Sequence, residues 1–168
     1  LWWRAVAKRQ DRKGVRVGLW QVCCELADDS GRYCSDCGAC GRVRSSWRRT
    51  LVHTPVGLSA VHLLVRVRRH ECRGCARSWS DDLCGIVTDG RRLTDAAVWW
   101  AAAEIVMSSK SVLACAMQLH CAWETVNAAV LDKARACLIA DPHRLDGVEA
   151  IGVDEHVWRH TARGSRYV

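Results

Sequence analysis

The chain has 168 residues, of which 49% are hydrophobic and 26% charged, and its formal net charge at pH 7 is +7. These proportions are typical of a globular protein with one or two small domains. No uninterrupted apolar stretch is long enough for a transmembrane helix, and the apolar run at the start is too short for a secretory signal. We therefore expect a cytoplasmic protein with no membrane partner. The first residue is Leu and not Met, from which we expect a fragment, an alternative start codon or a processed end.

The positive charge comes almost entirely from arginine, with 21 Arg against 4 Lys. Residues 42–77 contain nine of these arginines and a single acid, Glu71. Arginine is better suited than lysine to form paired hydrogen bonds with phosphate groups and guanine edges. This charge distribution and a pI near 9.0 favour a nucleic-acid partner. The alternative is the amino-acid usage of a high-GC genome.

Two segments early in the chain have the composition of β-strands. Residues 1–14 are basic and contain Trp, but they have no clear period and receive no assignment. Residues 15–27 read as a strand closed by a turn. Residues 61–69 alternate with period two between an apolar face and a mostly basic face. The apolar face consists of Val61, Leu63, Val65 and Val67, and the other face of His62, Leu64, Arg66 and Arg68.

Two Cys-x-x-Cys pairs, Cys34/Cys37 and Cys72/Cys75, are separated by 34 residues (38–71). An odd number of cysteines and the absence of a signal peptide favour reduced thiols over a disulfide framework. Two such pairs are typical of a structural Zn²⁺ site with four thiolate ligands. The segment between them is expected to form a hairpin or small sheet that returns the second pair to the first. The alternative is a set of scattered buried cysteines.

The remaining cysteines and the nearby histidines are weaker ligand candidates. Cys40 could replace a member of the first pair, and Cys84 could do so in the second. The others lie in apolar patterns and are predicted to be small buried residues: Cys23, Cys24, Cys115, Cys121 and Cys137. Four thiolates already complete a structural site, so His53, His62 and His70 are not expected to bind the metal.

From residue 91 onward the sequence predicts helices. Thr94 is a suitable N-cap with Asp95 in the first turn. Helical sequence continues with breaks to about residue 140, where Asp141-Pro142 ends it. Residues 112–131 fit a helix-turn-helix pattern. Ala116 is the small residue, His120 stands at the turn, and Cys115, Leu119, Cys121, Val126 and Ala129 fill the apolar positions. Trp99, Trp100, Ile105 and Val106 are expected to belong to the core of the first helix.

The second helix of this pattern begins near Ala122. Trp123, Thr125 and Asn127 would then lie near the end of a recognition helix that meets base edges, together with Glu124. Asparagine can read adenine with two hydrogen bonds. The alternative is a three-helix bundle that reads no DNA, since many such bundles bind proteins.

The order of these parts resembles the transposases of the ISL-three family of bacterial insertion sequences. The resemblance covers roughly residues 15–168 and consists of the two CxxC pairs, the strand VRVRRHEC, the helix-turn-helix and the stretch DPHRLDGVEAIGVDEHVWRH. It implies a DDE transposase whose catalytic domain has an RNase H-like fold. It also implies double-stranded DNA with terminal inverted repeats as the partner, and a possible homo-oligomer.

By motif position, the resemblance implies that Asp154 is the first catalytic aspartate. In the full-length enzyme two Mg²⁺ ions are held by two Asp and one Glu and activate an oxygen nucleophile for attack on a phosphodiester. From the residues alone, Asp154 leaves the end of an apolar run in which Ile151 and Val153 alternate into a core. The alternative is a solvated strand end. The sequence stops at Val168, so we expect the second Asp and the Glu to be missing and the chain to be inactive alone.

The sequence therefore predicts an α+β protein: a zinc-binding, Arg-rich β module, a helix-turn-helix bundle and the first strand of a truncated RNase H-like domain. The predicted boundaries are 1–14 unassigned, 15–90, 91–140 and 141–168. The predicted phosphate contacts are Arg42, Arg44, Arg48, Arg49, Arg66, Arg68 and Arg69. The predicted function is recognition of terminal inverted repeats by part of a transposase. The alternatives are a stand-alone zinc-dependent regulator, a relic of a transposase gene, or a zinc-organised interaction module without a DNA role.

Overall fold

The computed structural model describes residues 3–10, 18–26 and 30–152, and the chain divides into two compact units, residues 1–134 and 135–168. The strands of the first unit are β1 (Trp3–Gln10), β2 (Leu19–Leu26), β3 (Gly41–Val56), β4 (Ser59–Cys72) and β5 (Ser78–Ser80). Its helices are a 3₁₀ turn (Ser30–Arg32), α1 (Asp95–Ser108), α2 (Val112–Leu119) and α3 (Trp123–Ala134). The second unit begins with a π-helical segment (Arg135–Ile139) and continues with turns over residues 142–147. The mixed α+β class is confirmed.

The five strands form one mixed sheet in the order β1-β2-β4-β3, and the short β5 also pairs with β4. The β1–β2 and β3–β4 pairs are antiparallel, whereas β2 and β4 run parallel. The strand β1 was not predicted. It lies at the edge of the sheet, where pairing with β2 through backbone hydrogen bonds does not require an alternating apolar pattern.

The long hairpin of β3 and β4 is the framework of the first unit. The turn at Gly57 and Leu58 joins its strands, and pairing runs from Val56↔Ser59 to Gly41↔Cys72. Gly57 has a φ of +58°, a left-handed conformation that glycine adopts without steric cost. The hairpin returns the second Cys-x-x-Cys pair to the first, as the sequence predicted.

The two faces of β4 differ as its alternating pattern predicted. Val61, Val65 and Val67 are buried. On their side of the sheet a core forms from Cys24, Leu51, Val65, Val67, Leu83 and Val87. Leu83 and Val87 belong to the segment between β5 and α1, which therefore covers this face. The opposite face carries His62, Leu64, Arg66 and Arg68.

The three helices pack around a second core made mainly of small residues. Thr94 caps α1, and its side-chain oxygen accepts a hydrogen bond from the backbone N–H of Ala97 at 3.2 Å. The buried residues of this core are Val52, Leu93, Ala97, Ala101, Cys115, Ala116, Leu119, Val126 and Ala129. The positions that the helix-turn-helix pattern requires to be apolar or small are therefore buried, except Cys121, which is half-buried.

The sheet and the helices share backbone and side-chain contacts within the first unit. The backbone N–H of Val52 donates to the carbonyl of Arg92 at 2.8 Å, and that of Thr94 donates to the carbonyl of Val52 at 2.9 Å. His62 Nε2 donates to the carbonyl of Leu119 at 3.1 Å. The separation of a β domain from a helical domain at residue 90 stays a prediction.

Several burial predictions are wrong. Trp99 and Val106 are 54% and 73% exposed, because the core of the small bundle is filled by alanines and the opposite face of α1 remains open. Cys137 is exposed. Ile151 is 70% exposed, and residues 148–152 belong to no strand. None of the described helices combines the length and the apolar character needed to cross a membrane.

Candidate metal centre and arginine surface

Four cysteines from the two Cys-x-x-Cys pairs meet at the base of the β3–β4 hairpin. Cys34 and Cys37 precede β3, while Cys72 ends β4 and Cys75 follows it. Their sulfur atoms all lie within 4.8 Å of one another. This group is close enough to hold a metal ion.

The spacing of the sulfurs fits tetrahedral coordination. The Cys34–Cys75, Cys37–Cys72 and Cys37–Cys75 sulfur distances are 3.6, 3.3 and 3.8 Å. A Zn–S distance of about 2.3 Å places two sulfurs of a tetrahedron about 3.8 Å apart. A disulfide would require about 2.05 Å. The cluster is therefore compatible with a zinc ion held by four thiolates.

Backbone amides of the second pair point at a sulfur atom. The N–H groups of Gly74 and Cys75 donate to Cys72 Sγ at 3.3 and 3.4 Å. The amides of Cys75 and Gly74 stabilise the thiolate and lower the pKa of Cys72 to about 6. The Arg77 backbone lowers the pKa of Cys75, but the sulfurs of Cys72 and Cys34 outweigh it and raise this pKa to about 12. A thiolate stabilised by backbone amides is one of the anionic ligands that a zinc site of four cysteines requires.

Both turns place a residue with positive φ directly after the second cysteine. Gly38 has a φ of +70°, and Ala76 at the matching place has a φ of +58°. The two turns thus share a left-handed residue at this position, although only the first has the glycine that favours it. An ion pair between Arg77 and Asp36 also joins the turns.

A layer of aromatic and charged residues supports the cluster from within the fold. Trp79 of β5 stacks on His70 with ring centroids 5.6 Å apart, and its Nε1–H donates to the carbonyl of Gly31 at 2.7 Å. His70 Nε2 donates to Asp81 Oδ1 at 2.8 Å, and the backbone N–H and the Nε of Arg68 donate to Asp81 Oδ2. Burial raises the pKa of Asp81, but Arg68 and His70 outweigh this effect and hold the pKa below its usual value.

Sequence reasoning did not find this supporting layer. His70 is fully buried and, as expected, lies outside the group of sulfurs. The pairing of His70 with Trp79 depends on the register of β4 against β5, which brings the two residues opposite each other. A three-residue strand with no apolar alternation gives no periodic signal from which that register could be predicted.

The other cysteines lie outside the metal group that the described residues form. Cys40 and Cys84 are exposed, and Cys40 Sγ contacts only the adjacent carbonyl of Gly41, at 3.6 Å, among the hydrogen bonds described. Cys24 and Cys115 are buried, and burial raises the pKa of both thiols. Burial also raises the pKa of Cys121 to about 11. The buried Cys24 and Cys115 are packing residues, as predicted, whereas Cys121 is half-buried.

The seven arginines predicted to contact phosphate differ in what their side chains contact. Arg68 binds the buried Asp81 and is 21% exposed. The Arg49 guanidinium donates to the carbonyl of Arg91 at 2.7 Å. Arg42 and Arg44 both contact Glu71, at 2.8 and 3.7 Å, and this contact with Arg42 lowers the pKa of the carboxyl.

The other three arginines lie at the exposed surface. Arg66 contacts Glu25 at 3.3 Å and its side chain is 52% exposed. The side chains of Arg48 and Arg69, which are exposed, have no hydrogen bond or ion pair with another residue in the described part of the chain. The structure therefore leaves a subset of the predicted phosphate contacts available to a ligand.

The predicted recognition helix begins where the sequence placed it. A left-handed His120, with a φ of 51°, connects α2 to α3. Trp123 is 45% exposed, while Thr125 and Asn127 are half-buried. Leu131, which the sequence reasoning did not include, is 44% exposed. The outward side of α3 is thus partly apolar.

Asp154 lies outside the described residues, and residues 148–152 of the run predicted to form its strand belong to no strand. The RNase H-like assignment therefore stays a prediction.

Comparison with family models, with curated proteins and with solved structures finds no match to this chain.

Proposed function

We propose that this chain is the zinc-stabilised, DNA-binding N-terminal portion of an insertion-sequence transposase. The observation that carries the proposal is the four-sulfur cluster at the base of the Arg-bearing hairpin, in the same unit as a helix-turn-helix-like pair of helices. Structural zinc closes this hairpin, because its ligands lie immediately before β3 and around the end of β4. The partner is double-stranded DNA with terminal inverted repeats.

The arginines and the helix α3 have different roles in DNA binding. Arginine side chains on the sheet hold phosphates, which supply most of the affinity and make it depend on salt. Trp123, Thr125 and Asn127 on α3 meet base edges and supply specificity. In a full-length enzyme Asp154 would be one ligand of the Mg²⁺ ions that support strand transfer, and the chain would act as a homo-oligomer.

A second candidate is a zinc-organised module that binds another protein. It is favoured by α3, where residues 123–132 contain no Lys or Arg and the exposed side includes Trp123, Glu124 and Leu131. A helix with an acid and apolar residues on its outward side suits a protein surface better than a phosphate backbone. A stand-alone zinc-dependent regulator would use the same DNA contacts as the transposase portion.

The test of the proposed function is a mobility-shift titration of the zinc-loaded chain with inverted-repeat DNA and with scrambled DNA of equal length. Tighter, salt-dependent binding of the repeat supports the proposal. Equal binding of both duplexes would indicate a protein that binds DNA without sequence specificity. Absence of binding would favour the protein-binding module.

The zinc assignment has its own test. Cys34→Ser and Cys72→Ser should lower zinc content and disrupt residues 30–85. The matched control is Cys40→Ser, which removes an exposed thiol outside the cluster. Unchanged zinc content and far-UV circular dichroism in the first two variants would contradict the assignment.

A further inference from the structure

Two of the exposed arginines face each other across the β3–β4 hairpin. Arg48 and Arg66 are register partners. Partners in an antiparallel pair project from the same face, with Cβ atoms about 5 Å apart, and like charges in this arrangement destabilise the sheet. This unfavourable pairing indicates a role other than stability.

The strand β2 completes a row of three charged residues on this face. Glu25 of β2 is the register partner of Arg66, which is the partner of Arg48. The Arg66 guanidinium donates to Glu25 Oε1 at 3.3 Å and to Ser46 Oγ, also at 3.3 Å. The carboxylate of Glu25 thus pairs with Arg66, while no ion pair is found for the Arg48 side chain among the described residues.

The row lies in an open groove of about 620 Å³. Its other lining residues include Cys23 and Leu64, which are the next register pair on the same face. Both are half-buried. The groove thus presents two guanidinium groups and a serine hydroxyl beside the side chains of Cys23 and Leu64. Two guanidinium groups that line one groove suit a tetrahedral oxyanion, since each can donate two parallel hydrogen bonds.

We propose that this groove binds one phosphate group between Arg48 and Arg66, and that Glu25 is an intramolecular competitor that the phosphate displaces from Arg66. The phosphate is a phosphodiester of the DNA backbone, and in this respect the inference rests on the proposed function. An inorganic phosphate offers the same chemistry, so the experiment distinguishes the two sources.

The competitor explains why one exposed acid stands in a basic row. The Glu25 and Arg66 side chains are 64% and 52% exposed. Ion pairs with this exposure to water are weak, so a phosphate can replace the carboxylate at small cost. Arg49 and Arg68 are held by the fold itself, and their replacement would test folding in place of binding.

The experiment measures fluorescence anisotropy of a labelled inverted-repeat duplex with the zinc-loaded chain over a series of salt concentrations. Arg48→Ala and Arg66→Ala should each weaken binding about tenfold and reduce the slope of log affinity against log salt by about 1. Glu25→Gln should strengthen binding about two- to fivefold. In the Arg66→Ala background Glu25→Gln should add little, because the competition no longer exists.

The controls are Arg144→Ala and Glu149→Gln, which make the same charge changes in the second unit. Zinc content and circular dichroism establish that every variant is folded. If Arg48→Ala and Arg66→Ala bind DNA no more weakly than Arg144→Ala, the phosphate site is wrong while DNA binding stands. If Glu25→Gln increases the affinity for DNA no more than Glu149→Gln does, the proposed role of Glu25 as a competitor is wrong.

Failure of the wild-type chain to bind any duplex would contradict the proposed function. A titration with inorganic phosphate would then test whether the groove binds phosphate. The probe is added while the guanidinium Nε–Hε resonances of Arg48 and Arg66 are followed by NMR. Saturable shifts at both residues that strengthen in Glu25→Gln would assign the groove to free phosphate. Shifts no larger than those of Arg144 would overturn the proposal.

Discussion

Replacement of Gly41 by Ala tests the layer that supports the cysteine cluster. A Cβ atom at this position would lie 2.6 Å from Cη2 and 2.8 Å from Cζ2 of Trp79, and 3.2 Å from the carbonyl oxygen of Arg32. The shorter distance is 0.8 Å below the 3.4 Å at which ordinary contacts begin. Trp79 cannot retreat without loss of its hydrogen bond to Gly31 and its stacking on His70.

The expected cost follows from these contacts. Overpacking costs about 1–3 kcal/mol, and the weakened hydrogen bond adds about 1 kcal/mol. We therefore expect Gly41→Ala to lower the free energy of unfolding by about 2–4 kcal/mol, or Tm by roughly 10 °C. Zinc affinity should also fall, because Gly41 is the register partner of Cys72. Denaturant unfolding and competition for zinc with a chromogenic chelator measure the two effects.

The matched control for this variant is Gly31→Ala, whose Cβ would meet only Asp81 Oδ1, at 3.8 Å, and which should be nearly neutral. Trp79→Phe removes the ring edge that causes the clash. Gly41→Ala should therefore cost less in the Trp79→Phe background than in the wild type, as a double-mutant cycle would measure. The reasoning would be refuted if the free energy of unfolding of Gly41→Ala differed from that of the wild type by less than about 0.5 kcal/mol.

Three further predictions concern the turns, the histidines and the metal. Ala76→Gly should stabilise the chain and Gly38→Ala should destabilise it, each by about 1 kcal/mol in chemical denaturation, because both positions have positive φ; equal signs would contradict this. Burial lowers the pKa of His53 and His62 below 6.5. The unfolded chain therefore binds more protons than the folded chain just below pH 6.5. The free energy of unfolding should consequently fall on acidification through that range. His62→Gln should reduce this pH dependence, and an identical pH profile would count against it. Removal of metal with a chelator should unfold the sheet around the cysteine cluster, and hydrogen exchange at β3 and β4 unchanged by the chelator would rule out a structural metal.

The structure reduces the seven arginines predicted to contact phosphate to a smaller set of candidate DNA contacts. All seven lie in a basic segment, but Arg68 and Arg49 satisfy acceptors within the fold. Arg48 and Arg66 share one face of the sheet, and Arg66 is paired with the exposed Glu25. The DNA contacts proposed for the sheet therefore rest on register and pairing in addition to net charge.

The sequence by itself determined the features that depend on local spacing. The two Cys-x-x-Cys pairs identified the four residues that meet, because two residues between cysteines form a turn that points both thiols at one position. The alternation of Val61, Val65 and Val67 identified the buried face of β4, and Thr94 identified the start of α1 through its capping side chain. These signals arise within a few residues and require no knowledge of distant partners.

Only the tertiary structure decided the features that depend on strand register and on packing between distant segments. The edge strand β1, the stacking of Trp79 on His70 and the row Glu25–Arg66–Arg48 join residues far apart in sequence. The exposure of Trp99 likewise depends on which side of α1 the other helices cover. A period-two or helical pattern indicates that a face is buried, but the choice of neighbour depends on the free energy of the whole fold.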